Sequence, residues 1–242
     1  MNLSPLQLLA ATRSPRPPYR AIAAADGTTG LAEDSLSPAL LALLQRPQEL
    51  WHPEGTILKP GSRSTVTRLT LGHESFVIKQ YKALRFHRRL RYALTRSRAR
   101  QSWENGQVMA RLGIPVARPL ALLEETSCAI PGRSIVLMPF QTGTALSEEH
   151  LPDLPDLPAI AAKLHQAFSL MRTHRITHGD LKASNILIDE NNDPHFIDLD
   201  ASLLHRSPAS FEKDRAKDEA RFAKNWDSNP ALAQAMAGVF DR

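Results

Sequence analysis

The chain has 242 residues of which 42% are hydrophobic, enough to bury a core and to make one two-lobed domain or two small ones. Its single cysteine, Cys128, excludes an internal disulfide, and no apolar run approaches the roughly 20 residues that span a bilayer. The net charge of +5 is concentrated: nine basic residues stand between Lys79 and Arg100 with no acid among them, whereas the remaining chain carries 21 basic against 25 acidic residues.

Residues 1–18 include Pro5, Pro15, Pro17 and Pro18 and predict an extended lead-in. With no early positive charge the N-terminus predicts no secretion signal, and a soluble cytoplasmic protein is expected. Residues 19–25, Asp26-Gly27 and residues 28–32 predict a hairpin with a tight turn. Leucines at 36, 40, 41, 43 and 44 predict a short helix ending before Pro47. None of these residues points to chemistry.

Strands are expected from Thr56 onward: Ile57-Leu58, residues 66–71 and residues 75–81, with turns at residues 59–65 and near Gly72. Lys79 falls at the end of the third. Residues 97–112 predict a helix stopped by Gly113 and Pro115, and Glu104 is its only acid. The basic run across residues 79–100 reads as a solvated helical face on charge alone. Phe86, Leu90, Tyr92 and Leu94 interrupt it, which also suits an amphipathic segment lying on an anionic membrane or a phosphorylated glycolipid. Nucleic acid would be attracted by the same charge, but no DNA or RNA module accompanies it.

Residues 119–123 and 134–138 predict two further strands, leading to a hinge at residues 139–142. The proline-spaced run 151–158 reads as a stiff connector whose last proline opens a helix, with Ile160, Leu164, Phe168 and Met171 on its buried stripe. His165 and His174 have no metal-like spacing. Then comes His178-Gly-Asp-Leu-Lys-Ala-Ser-Asn185, an apolar triplet 186–188, a polar turn 189–194 and His195-Phe-Ile-Asp-Leu-Asp200. This predicts a hairpin, and a turn centred on Asn191 and Asn192 would set Ile186 opposite Ile197 and Asn185 opposite Asp198. Two oxygen-bearing side chains at one end suit Mg2+, a hard cation often shared with nucleotide phosphates. A carboxylate at Asp180 could take a proton from an attacking hydroxyl, and Lys182 could neutralise charge on a transferring phosphate.

In order and spacing, His178-Gly-Asp180, Lys182, Asn185 and Asp198 resemble the catalytic loop and metal-binding strand of the protein-kinase-like fold. Gly179, in place of an arginine, is similar to the small-molecule and sugar kinases of that superfamily. Asp198 is followed by Leu199-Asp200, so the Phe-Gly of protein kinases is absent, and Asp200 adds a metal contact or braces the loop. The segment from Arg96 to Asn105, then Gly113-Ile-Pro-Val-Ala-Arg-Pro119, resembles the Kdo/WaaP lipopolysaccharide kinases, with the likeness running from about Thr56 to Trp226.

The resemblance implies an α+β, two-lobed protein-kinase-like fold. Its small antiparallel β N-lobe would span residues 56–140 and its mainly helical, shortened C-lobe residues 141–242. Residues 1–55 would form an extension packed on the N-lobe. It further implies that ATP binds between the lobes, with Gly61 and Ser62 in the flap over the phosphates and Lys79 on the phosphates. Glu104 would hold Lys79, backbone groups at Met138 and Phe140 would meet the adenine, and Asn185 and Asp198 would hold Mg2+. Asp180 would be the base and Lys182 its electrostatic aid.

The expected acceptor is a lipid-linked sugar of the lipopolysaccharide core, at the cytoplasmic face of the inner membrane. Only 42 residues follow Asp200, without the Ala-Pro-Glu of protein kinases, which favours a sugar or small-molecule hydroxyl. The alternatives are a protein or other small-molecule kinase, and a pseudokinase that binds nucleotide without turnover.

Overall fold

A computed structural model describes residues 3–83, 96–127, 130–147, 149–150 and 156–240. The chain divides into two compact units, one of residues 9–107 and 118–140, the other of residues 1–8, 108–117 and 141–242.

The first unit is built on a seven-stranded antiparallel sheet. Its strands are β1 (Tyr19–Ala23), β2 (Thr29–Glu33), β3 (Thr56–Lys59), β4 (Ser64–Leu71), β5 (Glu74–Tyr81), β6 (Ala121–Ser127) and β7 (Ile130–Pro139), in the spatial order β1-β2-β6-β7-β5-β4-β3. Because successive strand residues face opposite ways, the sheet buries two separate apolar layers. On one face Ile22, Phe76, Ile78, Ala121, Leu123, Ile135 and Leu137 pack with α2 (Pro38–Leu44) and α3 (Pro47–Trp51). On the other, Tyr19, Leu31, Tyr81, Leu122 and Val136 pack with Ala99 and Trp103 of α4 (Arg98–Arg111). Residues 1–55 therefore do more than pack on a finished lobe: they supply two strands of this sheet and one of its helical covers. Where the sequence predicts an extended lead-in, Pro5–Ala11 form a short helix, α1.

Helix α4 has the expected ends. Ser97 Oγ accepts from the Arg100 amide at 3.0 Å, capping the start. Gly113 closes it at φ +78°, and the Ile114 amide reaches back to the Met109 carbonyl at 3.0 Å. A buried polar chain ties the helix to the sheet: Tyr19 OH donates to Gln107 Oε1, and Gln107 Nε2 donates to Glu33 Oε1 and the Pro119 carbonyl.

The second unit is mainly helical: α5 (Leu157–Thr173), α6 (Pro208–Ala223) and α7 (Pro230–Ala237). Phe168 of α5 is its aromatic hub, stacked 4.4 Å from Phe240 and in contact with Phe196 and Phe222. Two small sheets complete it, one of β11 (Pro194–Phe196), β10 (Ile186–Ile188) and β8 (Thr144–Ala145), the other of β12 (Leu203–Leu204) and β9 (Ile176–Thr177). Among the described residues no helix is long and apolar enough to cross a membrane.

The basic-run residues Arg85, Arg88, Arg89 and Arg91, and the connector residues 151–155, lie outside the described residues.

Candidate active site

In the helical unit, β9 delivers the chain to His178, and the loop His178–Asn185 is fixed from three sides. The His178 and Gly179 amides both donate to the Asp218 carboxylate of α6, at 2.7 Å and 3.0–3.1 Å. Ser202 Oγ donates to the His178 carbonyl at 3.1 Å. The fully buried His178 ring accepts from the Asp180 amide at Nδ1 and donates from Nε2 to the Ile197 carbonyl at 3.0 Å. Burial holds the His178 pKa below its usual value against the opposing pull of Asp218, so the imidazole is a neutral brace.

Gly179 is dictated by space as well as by its φ of +79°: a Cβ there would lie 2.2 Å from the Ala201 carbonyl oxygen.

Asp180 gathers the loop's polar groups. Its Oδ2 accepts from Lys182 Nζ at 2.9 Å and from Asn185 Nδ2 at 3.3 Å, and its Oδ1 accepts from Arg221 Nη1 of α6. Burial alone would raise the Asp180 pKa, but the bonds and charges of Lys182 and Arg221 outweigh it and hold the carboxyl below its ordinary value. Asn185 sits in a 3-10 turn over Ala183–Asn185 and is 6% exposed. Its Nδ2 also donates to the Asp180 carbonyl at 2.9 Å, which leaves the amide oxygen as its other polar atom.

The hairpin register differs from the expectation by one residue. Ile186 pairs with Phe196 and Ile188 with Pro194, so the Ile197 amide, and not Asp198, meets the Asn185 carbonyl. The cause is the turn, which is centred on Asn191: Asp189 Oδ1 accepts from the amides of Asn191 and Asp193, and Asn192 takes φ +62°. Asp198 stands one place beyond the predicted pair, with φ +65° and ψ +51°, and opens the 3-10 turn Leu199–Ala201 that carries the buried Asp200. Asn185 and Asp198 offer hard oxygen donors that suit Mg2+. Among the described residues no cluster of three or more His, Cys, Asp or Glu could hold a metal.

In the sheet unit, Lys79 occupies the interior strand β5 between Val66 and Val136 and is 6% exposed. Parity puts it on the face of Tyr81, the face covered by α4, and its ammonium lies 5.2 Å from the Tyr81 ring centroid. Glu104 projects from α4 and is 2% exposed, but the expected pair with Lys79 is not made. Its carboxylate takes Arg13 Nε at 3.1 Å and Arg96 Nη1 at 2.9 Å instead. Arg13 reaches it because Thr12 is docked on the same helix, its carbonyl accepting from Trp103 Nε1 at 3.0 Å.

Gly61 and Ser62 lie in the β3–β4 turn, where the Gly61 carbonyl accepts from Lys82 Nζ at 2.8 Å. Met138 of β7 pairs with Val77 of β5, the Phe140 amide donates to the Ser75 carbonyl at 2.8 Å, and the Arg68 guanidinium lies 4.2 Å over the Phe140 ring.

Asp218 and Arg221 were not legible in the sequence, since they act on the loop from about 40 residues away. The one available sign was an acid between Phe211 and Phe222 on the buried side of a closing helix.

A seven-stranded antiparallel sheet with a buried lysine on an interior strand, in a chain whose helical unit carries a braced His-Gly-Asp loop, defines a kinase-type protein of the protein-kinase-like superfamily. Residues 70–216 match the RIO domain family, and the chain belongs to that family. Among solved structures it is similar to WaaP in complex with acyl carrier protein, with a TM-score of 0.57 and 14% identity over 80% of each chain. At that identity the likeness concerns the fold. Comparison with curated protein sequences gives no match.

Proposed function

We propose that this chain transfers the γ-phosphate of ATP to a sugar hydroxyl of the bacterial lipopolysaccharide inner core, Kdo or heptose, at the cytoplasmic face of the inner membrane. The observation that carries the reading is the convergence of Lys182, Asn185 and a loop-facing arginine on one carboxylate, Asp180, in a loop braced by a buried acid. The resemblance of residues 96–105 and 113–119 to the Kdo/WaaP lipopolysaccharide kinases favours a sugar acceptor over a protein.

In this reading Asp180 orients the acceptor hydroxyl and takes its proton, while Lys182 stabilises charge on the phosphoryl group in flight. Lys79 grips the nucleotide's α- and β-phosphates, the Gly61-Ser62 turn covers them, and Glu104 keeps α4 in place through Arg13 and Arg96. Backbone groups near Met138 and Phe140 receive the adenine. Asn185 and Asp198 would hold Mg2+, which when bound neutralises phosphate charge.

The test is transfer of labelled phosphate from ATP into purified inner-core lipopolysaccharide, with generic protein substrates in parallel. Label in the lipopolysaccharide alone is expected. Label in the proteins alone would replace the sugar by a protein acceptor.

A further inference from the structure

Asp180 is engaged on both of its oxygens. A hydroxyl that gives up its proton to this carboxylate must first displace one of its donors. Lys182 and Asn185 belong to the loop, and Asn185 also holds the Asp180 carbonyl at 2.9 Å. Arg221 comes from outside it: it projects from α6, and 48% of its side chain is exposed. An ion pair that exposed is weak and readily exchanged.

We propose that Arg221 is the acceptor-recognition residue. An anionic group carried beside the reactive hydroxyl takes over the guanidinium, and Asp180 Oδ1 is released to the hydroxyl. The inference rests on the reading of Asp180 as the base and deepens it by naming the acceptor class, a hydroxyl compound with a neighbouring carboxylate or phosphate.

The exchange leaves no charge stranded, because the guanidinium trades one anion for another. Its planar fork suits either anion in two-point contact. A neutral acceptor offers no such trade and must compete with Arg221 for Asp180. The chemistry then balances: the acceptor oxygen bonds to the γ-phosphorus as the bond to the β,γ-bridging oxygen breaks. ADP leaves with that electron pair, and the hydroxyl proton goes to Asp180.

A structural brace would also place Arg221 here, so the readout must be one that a brace does not move. Two matched pairs of acceptors serve: Kdo against its carboxamide, and heptose phosphate against heptose. The first pair reads a carboxylate and the second a phosphate. KM is measured for all four with wild type, Arg221→Gln and Arg221→Lys, and Asp180→Asn serves as the control for the base.

Wild type should favour the anionic member of at least one pair by about tenfold, as expected for one charge-assisted contact. Arg221→Gln should bring the ratio near one, with Arg221→Lys between. Equal KM within both wild-type pairs, a comparison that needs no variant to fold, would overturn the inference and leave Asp180 as the base. So would a preference that persists in Arg221→Gln. Transfer to none of the four would overturn the sugar acceptor together with the inference, and transfer that survives Asp180→Asn would overturn the reading of the base as well.

Discussion

Gly179 has no side chain to spare for chemistry, yet the loop's geometry depends on it. Its φ of +79° and the 2.2 Å gap between a built Cβ and the Ala201 oxygen leave no room for alanine. Gly179→Ala should lower the unfolding free energy by more than about 1 kcal/mol, read from the urea midpoint at unchanged slope. An unchanged midpoint would mean that the loop relaxes freely.

His178 makes a pH prediction. Its folded pKa lies below the unfolded value of 6.5 because burial disfavours the imidazolium. As pH falls through 6.5 the unfolded chain gains a proton that the buried ring refuses, so stability is full above that pH and declines below it. Unfolding at pH 7.5 and 5.5 should show the loss, and His178→Gln, which keeps a donor and an acceptor, should reduce it. His205, also lowered by burial, contributes in the same direction. Equal pH dependence in wild type and His178→Gln would remove His178 from this account.

At this scale the motif residues themselves were legible, because the short spacing from His178 to Asn185 keeps them in one loop. Asp218 and Arg221 were not, because nothing local to α6 says which loop its polar side chains meet.

Helix α4 shows how an element can be read correctly while its contacts are not. Its ends follow from Ser97 and Gly113, and Glu104 was evident as its only acid. The partner was assigned by resemblance, whereas the fold brings Arg13 through a contact 91 residues away in sequence. Arg13→Ala should therefore cost about 1–3 kcal/mol, toward the low end because Arg96 still pairs the buried carboxylate. Arg13→Ala combined with Arg96→Ala should cost more than the two singles together. A neutral Arg13→Ala would make the contact incidental.

The hairpin gives the second lesson. Two short apolar triplets fixed its existence, but its register was set by Asp189 bonding two amides across the turn, which composition alone does not resolve.

For the molecule as a whole, the run of strand segments from Thr56 onward and the order of motifs announced the β N-lobe and the superfamily, whereas the two apolar layers of the sheet emerged only in the fold. The place of β1 and β2 was hidden, because a hairpin near the N-terminus carries no mark of the strand it will join. Here β2 pairs with β6, some 90 residues on.

The concentrated basic run belongs to this scale too. Replacing Arg88, Arg89 and Arg91 with Ser should weaken binding to anionic vesicles, and more at low salt than at high salt, since screening shortens the reach of surface charge. Unchanged vesicle binding would return the run to a solvated face.

The most direct test of the central claim is phosphate transfer from ATP by wild type and Asp180→Asn, with nucleotide affinity measured on the same samples. Loss of transfer with affinity preserved is the predicted result, since the change removes the base and leaves the phosphate-binding groups. Transfer that continues in Asp180→Asn would contradict it.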